Sequence, residues 1–207
     1  MNKGFFIVLE GPDGSGKTTV ANIVCDKLTK LGYDVVHTRE PGGIDIAEQI
    51  RTVILDPKNT AMDARTEALL YAASRRQHLV EKVIPAINSG KIVLCERFVY
   101  SSLAYQGMGR KIGFDDVLSI NDFAINGTYP DMTIYLDVSE EVGLQRIETR
   151  AFKDRLDSES LEFHKRVNQG YKMVRERFKD IVIVDASKDV DEVVDKTMDA
   201  ITKLING

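Results

Sequence analysis

Long apolar runs are missing from this sequence. None approaches the roughly 20 residues that a membrane helix needs, so no membrane association is expected. The N-terminal "MNKGFFIVLEGPDG" has only a short apolar run before a loop, which is not a signal-peptide layout. Cysteine is scarce: Cys25 and Cys95 are the only two. That excludes a disulfide framework and fits a reducing, cytoplasmic setting. Cys95, inside "KIVLCE", reads as a small buried hydrophobe. His37, His78 and His164 are single and scattered, without metal-ligand spacing, and read as structural or solvated. Positive charge is not in excess either. A net charge of -4 argues against nucleic acid as a partner, because proteins that bind it are usually basic. A local cluster of arginines around a small anion remains open.

What is present is ordinary in bulk: 207 residues, 43% hydrophobic and 29% charged, as in soluble globular chains. Short β-branched runs alternate with longer helical patterns. The strand candidates are 5–10, 33–38, 91–96, 132–138 and 180–186. Most are apolar nearly throughout, as strands covered on both faces are. Helical patterns occupy 17–31, 45–55, 65–88, 114–126, 139–150, 159–178 and 189–205. Gly32 and Gly90 fit helix C-caps, and Pro85 should kink or end the helix around it. This alternation predicts one α/β domain over 1–207 with right-handed crossovers. The polar, charge-rich segment "TRAFKDRLDSES" (149–160) is the one interruption, and it is expected to be a mobile loop.

The stretch "EGPDGSGKTT" follows the first strand directly. Gly11, Pro12, Asp13, Gly14, Ser15, Gly16, Lys17 and Thr18 match G-x-x-x-x-G-K-[ST] in full. Glycines let successive backbone N–H groups turn inward around an anion, and the helix that starts near Lys17 aims its positive dipole end at the same place. Lys17 is expected to reach the outer phosphates of ATP, and the Thr18 hydroxyl to ligate Mg²⁺. The loop does not decide the reaction. A GTP-dependent switch would carry a guanine-reading N-K-x-D, which is absent, whereas a kinase needs a second anion site.

Such a site is legible. "HTREPGG" (37–43) and "CERFVYSSLAYQG" (95–107) follow the second and third strands. They deliver Arg39, Glu96 and Arg97 to the sheet's carboxyl edge, the usual ligand side of open α/β sheets. In "EALLYAASRRQH", Tyr71 and Arg75 are four apart and share a helix face. They could stack on a base and hydrogen-bond its edge. From spacing alone, a core tyrosine beside a solvated arginine is the commoner arrangement.

Together "FIVLEGPDGSGKTT", "TREPGG", "EALLYAASRRQH", "SSLAYQGMGR" and "PDMTIYLDVSEEVGLQRI" resemble bacterial thymidylate kinases, from about Phe5 to the C-terminal "VDAS". The resemblance implies a three-layer P-loop domain with a parallel sheet in the order 2-3-1-4-5. It implies transfer of the γ-phosphoryl of ATP to dTMP with Mg²⁺, and a homodimer. By matching position, Asp13 would hold the deoxyribose 3′-hydroxyl, and Arg39 and Arg97 the acceptor phosphate. Tyr71, where the family usually has Phe, would stack on thymine. Arg75 and Gln106 would bond the pyrimidine edge, Tyr105 would lie against the sugar, and Ser102 stands close by. Glu96 replaces the family's usual Asp beside the metal. Gly14 occupies a place where some relatives carry a catalytic arginine, which points to the lid at 149–160 and to Arg155 within "DRLD". Arg146 and Arg150 precede the lid and could reach adenine or phosphate, and Lys153 is a further lid cation. The rival readings are a kinase for another nucleoside monophosphate and, from a different class, a non-catalytic nucleotide-binding switch.

Overall fold

The computed structural model describes residues 4–148, 155, 156 and 158–207. Its strands are β1 (Phe5–Glu10), β2 (Val35–Arg39), β3 (Ile92–Glu96), β4 (Met132–Asp137) and β5 (Ile181–Asp185). They form one five-stranded sheet in the order β2-β3-β1-β4-β5, with every pairing parallel. The expected order and direction are therefore those observed.

Alternation along β1 builds two cores, because successive side chains leave opposite faces of a strand. Ile7 and Leu9 join Leu94, Ile134 and Leu136 on one face. There they meet Val20, Val24 and Leu28 of α1 (Lys17–Lys30) and Val194 and Ile201 of α9 (Val190–Asn206). Phe6 and Val8 join Val93 and Cys95 on the other face, with Leu79, Val83, Phe98, Leu103, Val117 and Val174. This double cover explains why the strands read as continuous apolar runs. The parallel register then places three charged strand ends together: Glu96 pairs with Arg39 on one side and with Leu9, next to Glu10, on the other.

Two helices end as their glycines predict. Gly32 N donates to Thr29 O and Tyr33 N to Leu28 O, a Schellman closure of α1. Gly90 N to Ile87 O and Lys91 N to Ala86 O repeat it. The expected single helix over 65–88 is three pieces: α3 (Ala64–His78), a π-helical turn (Leu79–Val83) and α4 (Ile84–Asn88). Pro85 has no N–H for the helical ladder, and the wider turn just before it accommodates the break. Between them, α2 (Asp45–Leu55) precedes α3, whose first turn is capped by the Asp63 carboxylate, an acceptor for Arg65 N and Thr66 N.

One helical segment is a correction to the sequence reading. Residues 99–109 form α5 (Val99–Ser102) and a second π-helical stretch (Leu103–Gly109). Serines, a β-branched residue and two glycines give this run little helical propensity, so it reads as loop. Tertiary packing overrides that preference. The stretch lies against α8 (Leu161–Arg177), with Gly170 so close to Ala104 that a Cβ there would come within 2.7 Å of the Ala104 Cα. This fixed backbone carries Tyr105 and Gln106. The remaining helices are α6 (Phe114–Ile125) and α7 (Glu140–Glu148). Of the expected lid, residues 149–154 and 157 lie outside the described residues, and with them Arg150 and Lys153. Among the described residues no helix is long and apolar enough to cross a membrane.

Candidate active site

The first strand runs straight into the phosphate loop. Gly16 caps α1 with φ 85°, and Gly14 has φ 78°, left-handed values that glycine adopts without a Cβ penalty. Space adds a second constraint at position 14. A Cβ there would lie 2.4 Å from the Gly143 carbonyl oxygen on α7, so a loop arginine is excluded by packing. A cation comes from α7 instead: Arg146 Nη1 donates to Gly14 O at 3.0 Å.

Lys17 is buried. Its ammonium donates to Gly11 O (3.0 Å), Pro12 O (2.8 Å) and Ser15 Oγ (3.1 Å). Burial lowers its pKa from 10.5 to about 7, and the Arg97 guanidinium pushes the same way against Asp13, Glu10 and Glu96. Thr18 donates its hydroxyl to Glu96 Oε2 at 2.6 Å, and His37 Nε2 donates to Glu96 Oε1 at 3.0 Å. Burial works against the Glu96 carboxylate, but the bonds from His37 and Thr18 outweigh it and hold the pKa below the usual range. An ionised carboxylate beside a hydroxyl is the hard oxygen donor set that Mg²⁺ prefers, so the residues present fit that ion. His37 is thereby part of the site, not merely solvated.

Arg97, at the left-handed φ of 67°, is the centre of a second hydrogen-bonded group. It donates to Asp13 Oδ1 (2.7 Å), Gly11 O (3.3 Å), Ser101 Oγ (3.1 Å) and the Tyr171 hydroxyl (3.3 Å). Tyr105 donates its hydroxyl to Asp13 Oδ2. Its own pKa is raised well above 10 by burial first and the Asp13 charge second. Beneath them Glu10, fully buried, accepts from Phe98 N (2.8 Å), Ser101 N (3.1 Å) and Ser101 Oγ (2.6 Å). That carboxylate pins the segment after β3 to the end of β1.

Arg75 overturns the commoner expectation for its spacing. It is 2% exposed, not solvated. Its Nε donates to Glu40 Oε2 at 2.7 Å, Nη1 to Ser102 Oγ at 3.1 Å and to Asn121 Oδ1, and Nη2 to Phe98 O at 2.9 Å. Of five guanidinium donors, four are engaged. Tyr71 is half-buried beside the aromatic cluster of Tyr105, Tyr135, Phe163 and Tyr171. Arg39 is half-exposed and paired with Glu48 Oε1 at 2.9 Å.

These side chains share one cavity of about 430 Å³. Its lining includes Asp13, Lys17, Thr18, Arg39, Tyr71, Arg75, Glu96, Arg97, Ser102, Tyr105, Gln106 and Arg146. Gly11, Pro12 and Ser15 of the phosphate loop lie outside this lining, and so does Arg155. Arg155 turns inward, 9% exposed, donating through Nε to Ile54 O at 2.8 Å and through Nη2 to Glu67; its neighbour Leu156 lines the cavity instead. Sequence reading missed Glu10, Glu40, Glu67, Arg51 and Tyr171. Glu40 sits inside "TREPGG" and Glu10 ends the apolar first strand, which are usable signals. Arg51, six residues into α2, lines the cavity and donates to Pro41 O at 3.0 Å. Glu40, His78 and Cys95 bring ligand-type atoms within 4.8 Å of one another. The carboxylate already accepts from Arg75 and from His78 Nδ1, and His78 Nε2 lies 2.8 Å from Thr38 Oγ1. Burial also raises the Cys95 pKa well above the ordinary thiol value, so this group is an ion-pair core.

A phosphate loop and a carboxylate–hydroxyl pair fit for a divalent ion, sharing one cavity with several arginines and a tyrosine ring, are the layout of a P-loop nucleoside monophosphate kinase. The comparisons narrow that class. The thymidylate kinase family model matches residues 9–197. The chain is 56% identical to the thymidylate kinase of Geobacillus sp. (strain WCH70), over 99% of both chains. It is 57% identical to that of Enterococcus faecalis, over 96% of both. The crystal structure of thymidylate kinase from Ehrlichia chaffeensis superposes with a TM-score of 0.79 at 29% identity, covering 96% of this chain and 99% of that one. The chain belongs to the thymidylate kinase family, whose reaction is the ATP-dependent phosphorylation of dTMP to dTDP.

The lowered Lys17 pKa makes nucleotide binding proton-linked. Phosphates at the loop favour the charged ammonium, so ATP binding should take up close to one proton where free Lys17 is neutral, between about pH 7 and 10.5. Calorimetry at pH 8.5 in buffers of different ionisation enthalpy measures this uptake, and Lys17→Met should abolish it. The same shift costs stability at neutral pH. The unfolded chain binds the extra proton in that window, so Lys17's contribution to stability rises as pH rises through it.

Proposed function

We propose a division of labour for phosphoryl transfer from ATP to dTMP in which this one cavity carries both reactants. The observation that supports it is the single chamber joining Lys17 and Thr18 to Arg97, Tyr105 and Arg75. Lys17, Arg146 and the loop N–H groups take the ATP phosphates. Thr18 and Glu96 would hold Mg²⁺, which supplies charge neutralisation across the phosphates. Arg39 and Arg97 take the acceptor phosphate, while Tyr71 stacks on thymine. The one Arg75 donor not engaged among the described residues meets the pyrimidine edge. Tyr105 lies against the sugar and Asp13 accepts from the 3′-hydroxyl. The attacking phosphate oxygen is already ionised at neutral pH, so in-line positioning and charge stabilisation do the work and no strong base is needed.

Arg155 acts on the transferring phosphoryl only by exchanging its bond to Glu67 for one to the substrate. A homodimer, which the family resemblance implies, finds support in exposed apolar side chains. Ile46 and Val53 lie seven apart on α2, and Leu69 on α3 and Phe123 on α6 are also exposed. These three helices pack in sequence, α2 on α3 and α3 on α6, and Phe123 is 89% exposed.

Three outcomes are expected. In a phosphoryl-transfer assay across monophosphates, dTMP is used far better than dCMP and than the ribonucleotide TMP. Comparable kcat/KM for all three would remove Arg75 and Tyr105 from recognition. Arg155→Ala lowers kcat on the order of 10² or more. It also lowers Tm, because a buried bond to Glu67 worth about 1–3 kcal/mol is lost. A fall in Tm with unchanged kcat makes the residue purely structural. Finally, light scattering should give a dimer for the native chain and a monomer for Phe123→Asp, with thermal melting retained above assay temperature. A native monomer overturns the assembly reading.

A further inference from the structure

Glu67 lies one helical turn into α3, fully buried and outside the cavity lining. The Gln106 side-chain amide donates Nε2 to Glu67 Oε1 at 2.9 Å. Arg110 Nε donates to both carboxylate oxygens, at 3.2 and 3.1 Å. Arg110 Nη2 lies 3.0 Å from Oε2 but is misaligned for a hydrogen bond. Arg155 Nη2 donates to Oε2. Guanidinium groups can only donate, so the carboxylate they face must accept. That leaves Gln106 one way to meet it: the NH₂ end points to Glu67 and the carbonyl end is left to the cavity that Gln106 lines. An amide normally offers either end with similar ease. Here the choice is removed by a neighbour of fixed polarity.

We propose that Glu67 is a positioning residue that sets base choice by locking the Gln106 amide with its carbonyl oxygen toward the base. The proposal rests on the reading of the cavity as the dTMP site. The chemistry follows from the bases. Thymine carries an N–H at ring position 3, a donor for that carbonyl. Cytosine carries a bare nitrogen there, an acceptor facing an acceptor. Uracil keeps the N–H, so Glu67 separates imide bases from cytosine and not thymine from uracil. The lock holds whether or not Arg155 remains in place, because Arg110 addresses both oxygens alone and is itself anchored by Glu159, 2.5 Å from its Nη1.

The test measures kcat and KM for dTMP, dUMP and dCMP, and KM for ATP, in the native enzyme and in Glu67→Gln. With a neutral amide at position 67, Gln106 can turn over. The dCMP to dTMP ratio of kcat/KM should then rise at least about tenfold, the scale of one relieved buried acceptor–acceptor mismatch. The change should sit in monophosphate KM, with ATP KM unmoved and dUMP following dTMP. Equal losses for dTMP and dCMP overturn the proposal, since they are what a merely structural Glu67 predicts. The exchanged pair Glu67→Gln/Gln106→Glu keeps one carboxylate beside Arg110 and offers the base acceptors only. It should restore the preference for dTMP over dCMP, and a ratio like that of the single variant also overturns the lock. If Glu67→Gln is too unstable to assay, the ligand-induced Tm shifts of the exchanged pair decide. A larger shift with dTMP than with dCMP supports the lock, and equal shifts sink it. A native enzyme that does not phosphorylate dTMP at all sinks the site reading instead.

Discussion

Arg75 and Glu40 form an ion pair with both side chains 2% exposed, and one wall of the cavity depends on it. Removing two charges from water costs several kcal/mol per ion. Attraction between them repays that cost only when the remaining donors and acceptors are also matched. Here both Glu40 oxygens and four of the five Arg75 donors are. Glu40 accepts from Arg75 on one oxygen and from His78 on the other, while Arg75 also holds Ser102, Asn121 and the Phe98 carbonyl. Four chain segments meet at this one pair: the loop after β2, helix α3, the segment after β3 and helix α6. Loss of either partner would leave a buried charge, a change worth about 3–5 kcal/mol in comparable cases. The pair therefore fixes the cavity walls before any substrate arrives.

The same device recurs along the carboxyl edge of the sheet. Glu10, Glu40, Glu67 and Glu96 are all buried, and each faces a donor that shapes the cavity. The cavity keeps several cations close together, with Lys17, Arg39, Arg51, Arg75, Arg97 and Arg146 all in its lining. Unbalanced, they would repel, as the Arg97 contribution to the lowered Lys17 pKa shows. Glu10 and Glu67 offset that repulsion from behind the lining, and Glu40 and Glu96 from within it. This is how a chain of net charge -4 presents a strongly cationic pocket, and it is electrostatic preorganisation in the sense that matters for phosphoryl transfer.

Apolar burial was the legible part of this structure. All five strands and the long amphipathic helices show in the periodicity of hydrophobic residues, because that pattern is local. The loop chemistry of residues 11–18 is local too. What was not legible depends on partners distant in sequence. Arg75 looks like a surface residue until Glu40, 35 positions away, comes to meet it. Arg155 looks like a free lid cation until Glu67, 88 positions away, does the same. Residues 99–109 lack helical propensity, and only packing against α8 reveals their conformation. Polar burial is a tertiary event, so Arg75 and Arg155 carry no signature of it in one dimension.

Position 14 shows how packing and electrostatics constrain each other. The Gly143 carbonyl approaches Gly14 so closely that no side chain fits. That contact seats α7 directly on the phosphate loop. Arg146, three residues further along α7 and so on nearly the same helix face, then reaches back to the Gly14 carbonyl. A bulkier residue at 14 would bring its own cation to the loop but would push α7 outward and carry Arg146 away with it. The glycine thus does more than permit a backbone turn. It seats Arg146 of α7 against the phosphate loop, so in this molecule the cation beside position 14 comes from that helix.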